Sequence, residues 1–418
     1  MKKKILIIGN GLNAYSLAKK MSEKHDVYVT PSSDPMKEFA KTLDIREDSI
    51  NELLKFVVNN HIDMTIPVSQ IAINADIAGI FSQNEQPVFA PNAIANSIVS
   101  DKSQAKKILY KLHINTPKFG IFEKDSAAID YLKNQKIPFV LKTNSPKSAV
   151  VITSYQVAKN VVNFSFIEKN SKLIAEDYVY GTPFSFYAIT DGYKALPIGN
   201  SLKYRYSLDG DGGQLTTGMG ACAPNYKLTL DDEYYLMDDV IYPVLKYLEN
   251  GGNPFLGIIS VEGIKSSDGR ISILGCNSFL QDDDTDAILA NLDEDIYSMF
   301  ESCIIGSFSD EWDIIRQKEQ YSVSLVINSK QEKNILNSEN ILNGIENLDE
   351  NTIVSLSPSL IKNKYLEYTI PSKGSVMVLT TTAPTVSTAS KRIYAEVNCI
   401  EFSGIYYRKD ICSENILA

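Results

Sequence analysis

The stretch ILIIGNGLNAYSLA, Ile5 to Ala18, decides the architecture of the first hundred residues. Its four leading aliphatic residues make a short strand, Gly9-x-Gly11 turns the chain, and Leu12, Tyr15, Leu17 and Ala18 recur at helical spacing. A strand that passes through a glycine turn into a helix lets backbone N–H groups approach a phosphate, and the helix N-terminus favours the anion. The pattern continues outward with Val27-Tyr-Val29, a helix from Ile50 to Asn59, Met64-Thr-Ile66, another helix, and Val88-Phe89. Such alternation predicts a parallel sheet with helices on its faces. A nicotinamide dinucleotide would also need an acid at the end of the second strand to hold its ribose. That place is Val29-Thr30-Pro31, so an NAD(P)-dependent oxidoreductase rests on the turn alone. The glycines otherwise read as a phosphate cradle or simply as a tight turn.

With 418 residues the chain should hold two to four domains, and it can bury a core without disulfides or a structural metal. Hydrophobic residues at 44% and charged residues at 22% are those of a globular protein. Forty-one Lys plus Arg against fifty-one Asp plus Glu give a net charge of −10, which argues against nucleic acid or an anionic membrane as partner. The five cysteines, Cys222, Cys276, Cys303, Cys399 and Cys412, are scattered and form no CxxC, as expected of reduced thiols in the cytoplasm. His25, His61 and His113 are the only histidines, so the remainder of the chain cannot build a His-centred triad. The apolar run after Lys4 stops at Gly9 with no cleavage site behind it, so no signal peptide is expected. No stretch approaches the roughly 18–20 apolar residues that span a bilayer.

Ser100-Asp101 caps a helix that carries Lys102 and Ala105 and runs to about His113. Phe139-Val-Leu-Lys142 and Val150-Val-Ile152 are strands joined by a polar loop, and Leu173 to Tyr178 is a strand leading into Gly181. A Gly-rich loop is expected from Asp209 to Gly220, then a helix from Asp232 to Glu249 with Pro243 inside, where a kink should form. Leu256 to Glu262 and Ile271 to Leu274 flank a turn, Ser307 to Gln317 is a polar connector, and strands at Ser322 to Ile327 and Ser375 to Thr380 with a helix from Ala383 close the chain.

Lys102, in the first turn of a helix, and Lys142, at a strand end, are each ordinary surface charges taken alone. As a pair beside Glu176-Asp177-Tyr178-Val179 they suit a nucleotide, whose adenine a strand-to-loop backbone can bind. Glu262 and Asn277 lie on strands joined by a turn and could share a Mg²⁺ on the phosphates, or Glu262 could be an exposed strand residue. The acidic run Gln281 to Asp286 reads as a solvated loop.

This order of features is that of the ATP-grasp superfamily, and the chain resembles the phosphoribosylamine–glycine ligase (glycinamide ribonucleotide synthetase) family over nearly its whole length. Ile7-Ile-Gly-Asn-Gly11 is similar to I-G-N-G-G, Ser100-Asp-Lys102 to G-S-K, and Val140-Leu-Lys142 to V-I-K. Ala175 to Val179 with Gly181 resembles I-E-E-F-L-x-G, and Asp211 with Thr216, Gly218-Met-Gly-Ala221 and Pro224 resembles D-x-G-P-N-T-G-G-M-G-A-Y-x-P. Asn277, Asp282 and Thr285 match N-x-R-x-G-D-P-E-T, and Arg408-Lys-Asp410-Ile411 matches R-x-D-I.

The resemblance implies a Rossmann-like, biotin-carboxylase-type domain over residues 1–99, an ATP-grasp domain over 100–306 with its nucleotide subdomain near 117–186, and a small α+β domain over 318–418. It implies an ATP- and Mg²⁺- (or Mn²⁺-) dependent ligase, monomeric or homodimeric. In that family ATP phosphorylates glycine, and the amine of 5-phosphoribosylamine then displaces phosphate. By transfer Lys102, Lys142 and Lys147 hold phosphates, Glu176, Asp177 and Val179 meet adenine, and Asn277 holds the metal, while Glu262, where the family usually has a small residue, is expected to take over as the metal's carboxylate beside it. Gly9, Asn10, Gly11, Thr216, Gly218, Met219 and Gly220 lie by the substrates, and Asp211, Arg408 and Asp410 are the catalytic candidates.

The family's G-R-E-H after the glycine turn is Leu12-Asn-Ala-Tyr15 here, its ribose glutamate is Pro183, its metal glutamate is Gly275 and its following arginine is Phe279. The mobile phosphate loop keeps Lys147 but no glycine. These losses leave open a different amine acceptor, or a paralogue that binds nucleotide without turnover.

Overall fold

The computed structural model describes residues 2–143, 149–166, 172–330 and 340–413. Near the N-terminus, strands Lys41–Thr42, Asp26–Thr30, Lys4–Ile8 and Met64–Pro67 lie in that order in one parallel sheet. Alternate residues of Lys4–Ile8 serve opposite faces: Ile5 and Ile7 pack with helix Leu12–Ser22, Leu6 and Ile8 with helix Ile50–Asn60. That is why the run is aliphatic at every position. Val88, expected in a strand, makes only a bridge to Thr65.

A second, antiparallel sheet has the order Phe119–Phe122, Leu173–Asp177, Phe139–Thr143, Ala149–Ile152. Helices Asp125–Leu132 and Tyr155–Ser165 bury Ala128, Leu132, Ala158 and Val162 against it.

The third and largest sheet is antiparallel with nine strands. It runs Ile271–Asn277, Leu256–Lys265, Thr182–Asp191, Ala195–Leu208, Gly212–Ala223, Tyr321–Lys330, Lys373–Ala383 and Ile353–Leu356, with Ile405–Tyr406 also paired to Tyr321–Lys330. The C-terminal α+β portion therefore shares the central sheet and builds none of its own size.

Three expectations change. The Gly-rich segment is largely a strand, Gly212–Ala223, with only Asp209–Asp211 as the turn. Gly218 and Gly220 are small because the strand is tightly overlaid: a Cβ on Gly218 would lie 2.0 Å from Asp283 Oδ2, and one on Gly220 2.5 Å from the Ser324 carbonyl. Pro243 is accommodated by a π-helical turn, Leu236–Ile241, between helices Leu230–Tyr235 and Tyr242–Asn250, which shifts the hydrogen-bond ladder ahead of the missing N–H.

The acidic run is buried from Asp283 to Asp286. Asp283 and Asp284 enclose the ammonium of Lys203, 3.0 Å from Asp284 Oδ2, while the hydroxyls of Tyr187 and Ser201 donate to Asp284 at 2.8 and 2.6 Å. The partner that neutralises the run lies 80 residues away in sequence, so nothing local could announce it. Among the described residues, no helix is long and apolar enough to cross a membrane.

Lys203→Met should lower unfolding free energy in urea by about 3–5 kcal/mol, since removing one partner of a buried ion pair strands the other charge. A loss below about 1 kcal/mol would show the cluster to be relaxed by water.

Candidate active site

Asp101 caps helix Lys102–Lys111, its carboxylate accepting from the N–H groups of Ser103 at 2.9 Å and Gln104 at 3.1 Å. The cap fixes the first turn, so Lys102 and Lys106, four residues apart, project from one face. On the small sheet Val140 pairs with Glu176 and Lys142 with Ile174, which puts Lys142 and Glu176 diagonally on one face. Glu176 Oε2 lies 2.8 Å from Lys142 Nζ and Oε1 lies 3.3 Å from Lys106 Nζ, with both Glu176 and Lys106 buried. Lys106 also donates to Thr116 Oγ1 at 2.6 Å.

Burial opposes the charge on Glu176, but Lys142 and Lys106 outweigh it and hold the carboxyl below its ordinary range. Burial pushes the ammonium of Lys102 down to about 8, aided by repulsion from Lys142, and Glu262 and Glu176 resist. Lys106 falls to about 8 for the same first reason, against the pull of Glu176. Lys102 and Lys142 thus converge, as the sequence led one to expect. Lys106 was missed, although its i+4 spacing from Lys102 was a signal in the sequence.

The second half of the site is on the large sheet. Glu262 is paired across strands with Gly275, and Ser260 with Asn277. Asn277 Nδ2 donates to Glu262 Oε1 at 3.2 Å, and Arg205 Nη1 donates to Oε2 at 2.8 Å. Burial would raise the Glu262 carboxyl, but Arg205, with help from Lys203 and Asn277, brings it down to about 2. Glu262 is no exposed strand residue: its side chain is 20% accessible. Gly275 is its direct cross-strand partner. Nothing lies within 4 Å of where a Cβ on Gly275 would be, so that space is open.

Other expected residues serve different ends. Arg408 is fully buried and commits its fork to Asp410 (2.7 and 2.6 Å), Asp211 (2.8 Å) and the Tyr206 carbonyl (3.2 Å). Asp410 also accepts from Gly210 N–H at 2.8 Å. The three catalytic candidates therefore form a clasp that ties the C-terminal segment to the turn at Asp209–Asp211. Met219 is buried, its sulfur 3.6 Å from Asn328 Nδ2, and is a packing residue. Thr216 Oγ1 donates to the Arg205 carbonyl at 2.9 Å and accepts from Gly218 N–H.

At the opening turn Gly9 is buried against Val68, Asn10 is exposed, and Gly11 precedes helix Leu12–Ser22. The anion at that helix N-terminus is the Asp282 carboxylate, which accepts from Asn13 N–H at 2.9 Å. A phosphate cradle there was read from the motif, and an internal carboxylate takes the position. The Glu176 side chain faces the lysines, and the Asp177 side chain is exposed. Lys147 lies outside the described residues.

Comparison with known proteins completes the picture. A family model for the N domain of phosphoribosylglycinamide synthetase matches residues 3–98, and one for its ATP-grasp (A) domain matches residues 100–285. The phosphoribosylamine–glycine ligase of Halalkalibacterium halodurans is 26% identical over 99% of this chain and 97% of its own. That of Streptococcus pneumoniae is 27% identical over 99% and 100%. The crystal structure of phosphoribosylamine–glycine ligase from Thermotoga maritima superposes with a TM-score of 0.80 at 17% identity, covering 98% of this chain and 100% of that one. A biotin carboxylase from Campylobacter jejuni reaches 0.72 at 14% identity, over 100% and 96%. With both consecutive domains matched over residues 3–98 and 100–285, the chain belongs to the phosphoribosylglycinamide synthetase family of ATP-grasp ligases.

Proposed function

We propose that the chain joins glycine to 5-phosphoribosylamine in the cytoplasm, as a step of purine biosynthesis, forming glycinamide ribonucleotide, ADP and phosphate. The observation that carries this is the approach of Lys102, Lys106 and Lys142 to the buried carboxylate of Glu176. Ammonium groups gathered there, partly withdrawn from water, make a site that a polyphosphate would complete. Lys102 and Lys142 would hold ATP phosphates, with Lys106 keeping Glu176, and through it Lys142, in place. The main chain from Asp177 to Val179 would meet adenine.

Glu262 and Asn277 fit a divalent ion: both offer hard oxygen donors, and Asn277 uses its amide nitrogen toward Glu262, which leaves its oxygen as a ligand. Among the described residues no group of three or more His, Cys, Asp or Glu is set for a metal, which suits an ion that takes most of its ligands from phosphates and water. Held there by Glu262 and Asn277, Mg²⁺ or Mn²⁺ would supply positive charge that offsets the charge developing in phosphoryl transfer. The rest is positioning and charge neutralisation by side chains.

The direct test is phosphate release with ATP, Mg²⁺, glycine and synthesised phosphoribosylamine, expected only when all are present. Release that ignores glycine would overturn the reading. Glu262→Ala should weaken ATP binding in Mg²⁺ by about tenfold or more and leave metal-free binding unchanged; equal affinity in Mg²⁺ would remove the metal role. Lys102 is charged below its value of about 8 and neutral above it. ATP affinity measured by calorimetry should therefore fall as pH rises through that value, and Lys102→Arg, which keeps its charge, should flatten the fall.

A further inference from the structure

We propose that Arg205 is the cation that neutralises the transferring phosphoryl and acyl-phosphate oxygens, in the role for which position 279 has lost its arginine. The proposal rests on the ligase reading above and adds to it a residue that the motifs do not point to. Phe279 packs beside the core of the parallel sheet and lines a small apolar cavity with Val68, Phe89 and Phe300, so that position has gone to packing. Arg205 stands instead on the neighbouring face of the site, its Nη1 2.8 Å from Glu262 Oε2, while Glu262 Oε1 is held by Asn277.

The guanidinium has capacity left. Among the described residues its bond to Glu262 is its only side-chain hydrogen bond, so Nε and Nη2 keep their donors. That pair of N–H groups is the planar fork that matches two oxygens of a phosphoryl group. The side chain is 25% accessible, so an incoming anion can reach it. Lys102 feels the charge of Arg205 as well as that of Lys142 and Glu262, which places all of them around one space.

The backbone that carries Arg205 is held on both sides. Lys203 is locked between Asp283 and Asp284, Tyr204 Oη accepts from Cys412 N–H at 2.8 Å, and the Tyr206 carbonyl accepts from Arg408. The Arg205 carbonyl itself accepts from Thr216 Oγ1. The clasp of Arg408, Asp410 and Asp211 thus acquires a purpose at the site: it fixes the strand that presents the guanidinium. Such fixing matters because a donor that needs no reorganisation stabilises developing charge most.

In the first transfer the bond from the γ-phosphorus to the ADP oxygen breaks as a bond from a glycine carboxylate oxygen forms. In the second the amine nitrogen bonds to the acyl carbon, phosphate departs with the electrons of the C–O bond, and the surplus amine proton passes to water. Arg205 forms no bond to carbon or phosphorus in either step; it stays protonated and meets the oxygens on which charge gathers.

The test compares wild type, Arg205→Ala and Arg205→Lys. Wild-type turnover comes first: its absence overturns the ligase reading and the Arg205 assignment with it. Given turnover, Arg205→Ala should bind the β,γ-imido analogue of ATP with Mg²⁺ within about threefold of wild type, yet lose about 100-fold in kcat, as loss of one charge-stabilising donor does. Millimolar guanidinium added to Arg205→Ala should restore rate and leave wild type unaffected. Arg205→Lys should recover only part, since an ammonium lacks the fork. If the alanine variant folds poorly, Arg205→Gln provides a neutral replacement of similar length for the same measurements. A kcat within about threefold of wild type, or equal losses of affinity and rate with no guanidinium rescue, would overturn the assignment alone.

Discussion

A single carboxylate drawn out of water, Glu176, organises the nucleotide half of this molecule. Left alone at 3% exposure it would be strongly disfavoured, and its stability depends on an ammonium at each oxygen. One ammonium comes from the neighbouring strand and the other from helix Lys102–Lys111, so the demand for neutrality pins that helix to the small sheet. The geometry that satisfies Glu176 also aims Lys102, one turn ahead of Lys106, into the same space. Structure and chemistry share one charge balance.

The large sheet shows how an antiparallel register can move a functional group without moving its location. Residues directly opposed across two strands have their side chains within about 5 Å of one another. Glu262 and Gly275 are such a pair, so either position can present a carboxylate to nearly the same volume. Arg205 donates to the carboxylate at position 262.

Glycine-rich motifs and terminal charged motifs carry a different lesson. Gly218 and Gly220 are small because Asp283 and the Ser324 carbonyl press on the strand. Arg408 is invested in Asp211 and Asp410 and clamps the turn beneath Arg205's strand. Motifs that seem to touch substrate can belong to the frame that holds the residue which does.

The sequence by itself determined the parallel first sheet, the capped helix at Asp101, the paired strands of Glu262 and Asn277, and the family, because each is written in local periodicity, capping chemistry and motif order. It could not reveal that Lys203 neutralises the acidic run, that Asp282 fills the first helix's N-terminus, or that Arg205 pairs with Glu262. Those are pairings between residues distant in the chain, and a charge looks the same in a sequence whether its partner is water or a buried ion. Only the tertiary structure, by deciding which charges lose their water together, assigned them.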